Sequence, residues 1–298
     1  MMTTMNYKKG IIAAVSGSFV WGILPIYWKS LVPIPSSVII FYRIFWVGVV
    51  SFIVSWKLYG MDRIKEPLKD KKKVARLILA GVINTSNWSI YIWAVNAGYV
   101  IQTSIGYYME PLVVCLFGIL FFKERFTKFN VTAMLMALAG VVIMIINSGQ
   151  IPAIALSLAI TFATYAAIKK SVKLEPMVSL AYETVLLVPI ALAVIIVMEI
   201  NGVGAIGVGE TYQYALLMLA GVATAIPLGL FALGANNLPL ITLGVTQYVS
   251  PTVALLLGVF LFGEPFDIVQ FIAFAVTWIG LVIFTIGEAK AGKSGKES

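Results

Sequence analysis

Long apolar windows separated by short polar breaks dominate the chain. Runs of about 20 residues, the length a helix needs to cross a bilayer, fall near 10–29, 36–57, 75–95, 101–122, 129–147, 151–169, 177–199, 213–233, 241–262 and 267–287. The runs are continuously apolar rather than alternating, which predicts helices and not barrel strands. Lipid leaves only those two ways to satisfy the backbone. The pattern therefore predicts an all-α membrane protein of ten transmembrane helices. The first run continues past Trp21 to Trp28 and lacks a small-x-small cleavage site, so it reads as a span and not a signal peptide.

One stretch organises the rest. Residues 101–125 read IQTSIGYYMEPLVVCLFGILFFKER, and 241–265 read ITLGVTQYVSPTVALLLGVFLFGEP. A constant offset of 140 places Tyr108 over Tyr248, Pro111 over Pro251, Gly118 over Gly258 and Glu124 over Glu264. The same offset carries Ala80-Gly81-Val82 onto Ala220-Gly221-Val222, and Gly140 onto Gly280. The chain thus reads as a duplicated unit: a first five-helix repeat over 1–147, a second over 148–287, and a polar tail at 288–298. An odd number of spans per half inverts the second half. Inverted repeats of this kind are a recurrent plan of secondary transporters, with the solute site near the midplane.

Charge placement sets the orientation. All 21 Lys and Arg except Lys29 and Arg43 fall at one set of ends: Lys8/Lys9, the 58–74 loop and its flanks, the 123–128 and 169–173 clusters, and the tail. The opposite loops carry none, so both termini are expected in the cytoplasm. That clustering explains the net charge of +8 without nucleic acid as a partner. With 60% hydrophobic and 11% charged residues and a mean hydropathy of +0.98, a water-soluble domain is excluded. The single cysteine, Cys115, rules out a disulfide within the chain, and histidine is absent. No Walker A loop, GxSxG, HExxH or Cys/His metal spacing occurs, so neither a cofactor, a metal nor an enzymatic activity is expected.

Ionisable residues inside spans are costly and become functional candidates by default. Three stand out: Arg43, Glu110 and Glu183. At an offset of 141 Glu183 aligns with Tyr42, beside Arg43, so the two are expected either to pair or to line one pathway. Glu110 precedes Pro111, which removes an intrahelical bond; the pairing of carboxylate and proline suits cation coordination or proton coupling. Ser104, Tyr107, Tyr108 and Pro111 share a helix face, repeated by Gly244, Gln247, Tyr248 and Pro251. Asn84, Asn87 and Tyr91 share another, with Trp88 adjacent. These stripes are expected to look inward on a cavity, where Tyr and Trp faces suit an amphipathic or cationic solute. Glu124 and Glu264 sit at span ends, where helix capping or headgroup contact is the simpler role.

The strings FVWGILPIYWK at 19–29, YRIFW at 42–46, NWSIYIWAVN at 87–96, GYYMEP at 106–111 and QYVSP at 247–251 resemble the EamA branch of the drug/metabolite transporter superfamily. The resemblance covers about residues 8–287. It implies two EamA-type repeats and a cavity lined by spans one to four and six to nine. It also implies a permease of the bacterial inner membrane. The family pattern has Asn where this chain has Glu110. The expected function is a secondary transporter, an exporter, of a small organic metabolite or drug-like solute, with an anionic or zwitterionic solute slightly favoured by Arg43. A non-transporting membrane scaffold or sensor on the same repeat is the alternative. Membrane lipid is the other expected partner, and monomer and homodimer both stay open.

Overall fold

A computed structural model of the chain describes residues 4–97, 99–125, 127–149, 152–263 and 266–294. Those residues form helices and no strand. In chain order the helices are α1 (Thr4–Lys29), α2 (Ser36–Lys65), α3 (Lys71–Asn96), α4 (Val100–Phe122), α5 (Lys128–Ser148) and α6 (Ala153–Ser171). There follow α7 (Pro176–Thr184), α8 (Leu187–Ile200), α9 (Thr211–Asn237), α10 (Leu240–Thr246), α11 (Val249–Phe260) and α12 (Ile268–Ser294).

Among the described residues, eight helical stretches are long and apolar enough to cross a membrane, or nine if α7 and α8, bent by 53° at their junction, form one span. The chain is therefore an all-helical, multi-pass membrane protein. Of the ten expected spans, α3 is the one outside that set. It carries Lys71, Lys72, Lys73 and Arg76 in its first two turns, and Asn84, Thr85, Ser86 and Asn87 midway.

Two compact units make up the chain, and each draws on both sequence halves. The first holds residues 1–88 and 168–238; the second holds 89–167 and 239–298. In the first unit, α9 packs along α1 and α2, and α2 packs on α7 and α8. Small residues set the closeness of these crossings. Gly81 lies against the backbone of Glu183, and Gly221 against the backbone of Trp46, where any side chain would collide. Gln213 is fully buried. It completes a capping box with Glu210 at the start of α9 and donates to the Ser30 and Val32 carbonyls at 3.0 and 2.7 Å. Glu199 orders the turn after α8 by accepting from Tyr42 Oη at 2.9 Å and from the Ala205 and Ile206 amides at 2.7 and 2.9 Å.

In the second unit, α12 packs along α5, and α10 packs on α4. Its core gathers Ile105, Tyr108, Ala137, Val141, Tyr248 and Phe274. The Glu124 carboxylate accepts from the Leu240 and Ile241 amides at 2.7 and 2.9 Å. It therefore caps α10 from another segment, satisfying two of the donors that a helix start leaves open. Glu264, its counterpart in the repeat, lies outside the described residues.

Three expectations are corrected. The 58–74 loop is mostly helical: α2 runs to Lys65, with Gly60 at φ 76° marking a kink, and a short 3-10 turn over Glu66–Lys69 leads to α3. The 177–199 span is broken at Val185 and Leu186, and the 241–262 span at Gln247 and Tyr248. The last span, expected to end at 287, continues as helix into the polar tail as far as Ser294. Two lysines of the 169–173 cluster have partners within the protein. Lys169 is 4% exposed, and Lys170 donates to the Leu238 carbonyl at the C-terminal end of α9.

Candidate functional site

In the first unit, α2, α3, α7, α8 and α9 enclose a cavity of about 10 Å³, roughly the room of one water. Its polar lining is Asn84, Thr85, Trp88, Glu183 and Thr184. The break after α7 makes Glu183 part of a short half-helix end and not the middle of a continuous span. Two contacts fix that half-helix. Tyr182 Oη donates to the Ile64 carbonyl at 2.7 Å, and Val178 and Tyr182 pack with Leu77 and Val172.

Glu183 is buried within a polar network. Lys169 Nζ donates both to Ser179 Oγ, at 2.7 Å, and to Glu183 Oε1. Ser179 Oγ donates to the same carboxylate oxygen at 2.9 Å. The ammonium and carboxylate side chains are each 2% exposed. An ion pair so deeply withdrawn from solvent is held by its mutual attraction and by its hydrogen bonds together. Arg43 and Glu183 were expected either to pair or to line one pathway; the structure gives Glu183 Lys169 and Ser179 as partners. Their signal was present but ambiguous. Ser179 and Glu183 are spaced i, i+4, but nothing in the Lys169-Lys170 pair says which lysine turns inward.

Arg43 takes a different environment. Its guanidinium carbon lies 3.8 Å from the Trp88 ring centroid and 5.4 Å from that of Trp28. Two aromatic faces about one cation form a cation–π site, which places a positive charge next to a residue of the cavity wall. Trp28 was not among the expected site residues. Asn84 and Asn87 are both buried, at 5% and 6% exposure. Asn84, Trp88 and Glu183 are thus brought together by the cavity, with Arg43 joined to it through Trp88.

The remaining candidates lie in the second unit. Tyr91 and Tyr107 pack ring to ring at 5.4 Å. Tyr248 Oη donates to the Tyr108 carbonyl at 3.0 Å, with the two rings 6.4 Å apart. Two tyrosines 140 positions apart in sequence therefore touch. Gln247 is buried and donates to the Leu243 carbonyl at 3.3 Å. Glu110 is buried on α4. The expected face of Ser104, Tyr107, Tyr108 and Pro111 divides: Tyr108 and Pro111 are buried, whereas Ser104 and Tyr107 are exposed. No cluster of three or more acidic or thiol groups suited to a metal occurs among the described residues.

Residues 8–146 match the EamA-like transporter family. The chain is 39% identical to the uncharacterized transporter YojE of Bacillus subtilis, over 97% of each chain. It is 34% identical to protein RarD of Salmonella typhi, over 96% of this chain and 97% of that one. Against protein RarD of Escherichia coli it is 31% identical over 96% of each. The crystal structure of another protein superposes with a TM-score of 0.73, covering 94% of this chain and 98% of the other. At 16% identity that likeness bears on the fold alone. Full-length relatives at these identities, together with a buried charged site inside an all-helical membrane chain, identify it as a member of the EamA-like transporter family, a RarD-type permease.

Proposed function

We propose that the chain is a secondary transporter that exports a small organic solute, and that the cavity walled by Asn84, Trp88 and Glu183 belongs to its path. The observation that carries this is the Lys169–Ser179–Glu183 network beside that cavity. Membrane proteins bury ionisable groups in spans where ions or solutes pass, and broken helices such as α7–α8 mark transporter binding sites. At about 10 Å³ the cavity is closed to any organic molecule, so the path must widen during transport. Arg43 on its aromatic faces supplies a cation and Glu183 a carboxylate, which favours a zwitterionic or anionic solute. Asn87 extends the proposed lining on α3, and Tyr91, Tyr107, Tyr108, Gln247 and Tyr248 are proposed as solute contacts of the second unit.

The proposal includes two inverted repeats. Reciprocal packing of α5 and α12 supports it: Gly140 lies against Ala273 and Thr277, and Gly280 against Ala133 and Met136. Subtracting 140 turns Ala273 into position 133, so each glycine meets the other helix at the equivalent place, as a two-fold relation requires. Basic residues at one set of ends support cytoplasmic termini in a bacterial inner membrane.

The test is counterflow of a metabolite and drug panel into reconstituted vesicles. The proposal expects at least one zwitterionic or anionic solute to exchange in wild type. Exchange should fall at least tenfold in Arg43→Ala and Glu183→Gln, each checked for normal insertion, since losing a charge-assisted contact of about 1.5–3 kcal/mol corresponds to that range. Absence of flux for the whole panel would leave the scaffold or sensor reading.

A further inference from the structure

Glu110 stands apart from the network around Glu183. Its side chain is 8% exposed, yet no group among the described residues hydrogen-bonds or ion-pairs with it, whereas Glu183 has Lys169 and Ser179. The next residue, Pro111, lies inside α4 and offers no N–H to the Tyr107 carbonyl. A buried acid thus sits next to a proline within a continuous helix.

The neighbouring elements supply no counter-charge. The helix α10, packed on α4, reads LITLGVT and has no titratable group. In α5 the only one is Lys128, its first residue. Gly106, one turn before Glu110, lies against Ala155 and Leu158 of α6; the titratable groups of α6, Tyr165, Lys169 and Lys170, begin two turns further on. In α11 there are none, and in α12 they begin at Glu288. Glu124 is engaged with the α10 amides. On α4 itself the titratable groups nearest in sequence are the phenols of Tyr107 and Tyr108 and the Cys115 thiol, with Tyr91 of α3 packed on Tyr107 and Tyr248 on Tyr108. An ionised carboxylate without cation or donor is not tolerated in such surroundings, whereas the neutral acid is.

We propose that Glu110 is the proton-carrying site of this transporter: it holds a proton in the closed conformation and exchanges it for solute moving the other way. The inference rests on the transport reading above and adds its coupling ion. The step is an O–H bond broken to release a proton to water on one side, and re-formed with a proton from the opposite side, one per cycle.

Two measurements test it. Infrared difference spectra of the reconstituted protein between neutral and alkaline buffer should show a carbonyl band of a protonated carboxyl group in wild type. The band should be missing in both Glu110→Gln and Glu110→Asn, so that a folding failure in one variant leaves the other. An unchanged band in both variants overturns the proposal. So does a band displaced by sodium chloride but not by choline chloride, which would assign a metal-cation site instead. Second, with a solute found by counterflow, a pH gradient opposed to solute movement should stimulate accumulation severalfold in wild type and not at all in Glu110→Gln. Equal stimulation in both also overturns it. If no solute exchanges but the band is present and lost in the variants, the transport reading fails and the proton site at Glu110 stands.

Discussion

Lys169 and Glu183 are each buried with the other as counter-charge. Lys169→Met leaves a carboxylate without its cation and is expected to destabilise the fold by about 3–5 kcal/mol. Adding Glu183→Gln should recover part of that loss, since the residual charge is gone. A double-mutant cycle in detergent unfolding would read a coupling above about 1 kcal/mol; simple additivity would contradict the pairing. Gly81 presents a steric limit beside the same site. A methyl group there would overlap the Glu183 backbone, so Gly81→Ala is expected to cost about 1–3 kcal/mol and to displace α7. At Gly149, where φ is 61° and no atom lies within 4 Å of a built Cβ, the same change meets only backbone strain of about 1–2 kcal/mol. Comparing the two melting temperatures, and transport in each, separates packing at the site from strain elsewhere.

The helices show where sequence was readable and where it was not. Apolar length and turn chemistry locate most of them within a few residues. They do not reveal the breaks in 177–199 and 241–262, because the residues at both breaks are nearly as apolar or as buried as those around them. A signal does exist. Pro189 and Pro251 each sit three residues into the following helix, α8 and α11, where a missing N–H costs nothing. Pro111 stands at the repeat position of Pro251, yet α4 is continuous across it, so proline alone does not decide. The candidate site was legible as residue types, since Arg43, Asn84, Trp88 and Glu183 all stand out as polar or charged groups within apolar runs. Its pairing was not, because periodicity places a residue on a face of its own helix and says nothing of which distant side chain meets it. Glu124 illustrates a role legible only in outline, as capping. Glu124→Ala removes the acceptor from two α10 amides and should cost about 0.5–2 kcal/mol. Hydrogen exchange at Leu240 and Ile241 is expected to quicken, while exchange in α9 stays unchanged.

At the scale of the molecule, the duplication makes claims that a single helix cannot. The α5–α12 contact is reciprocal in its positions but not equal in tightness. A Cβ on Gly140 would lie 2.6 Å from Thr277 Oγ1 and 2.7 Å from the Ala273 carbonyl, whereas one on Gly280 would lie 3.0 Å from the Ala133 carbonyl. Gly140→Ala should therefore lower the melting temperature more than Gly280→Ala, and the reverse order would count against this packing. Topology provides the stronger constraint. The proposed five spans per half would turn the second half over, and so would put Lys72 and Lys293 on one side and Gly202 on the other. Cys115 is the single cysteine of the chain and is buried, so a Cys115→Ala background gives a clean start for accessibility mapping. A cysteine in place of Gly202, at an exposed turn, is expected to react with an impermeant maleimide added to intact cells. A cysteine in place of Lys72 or Lys293 should react only after the membrane is opened. Labelling of Lys72→Cys and Lys293→Cys from opposite sides would make the number of crossings odd, and two halves of five could not then be related by inversion.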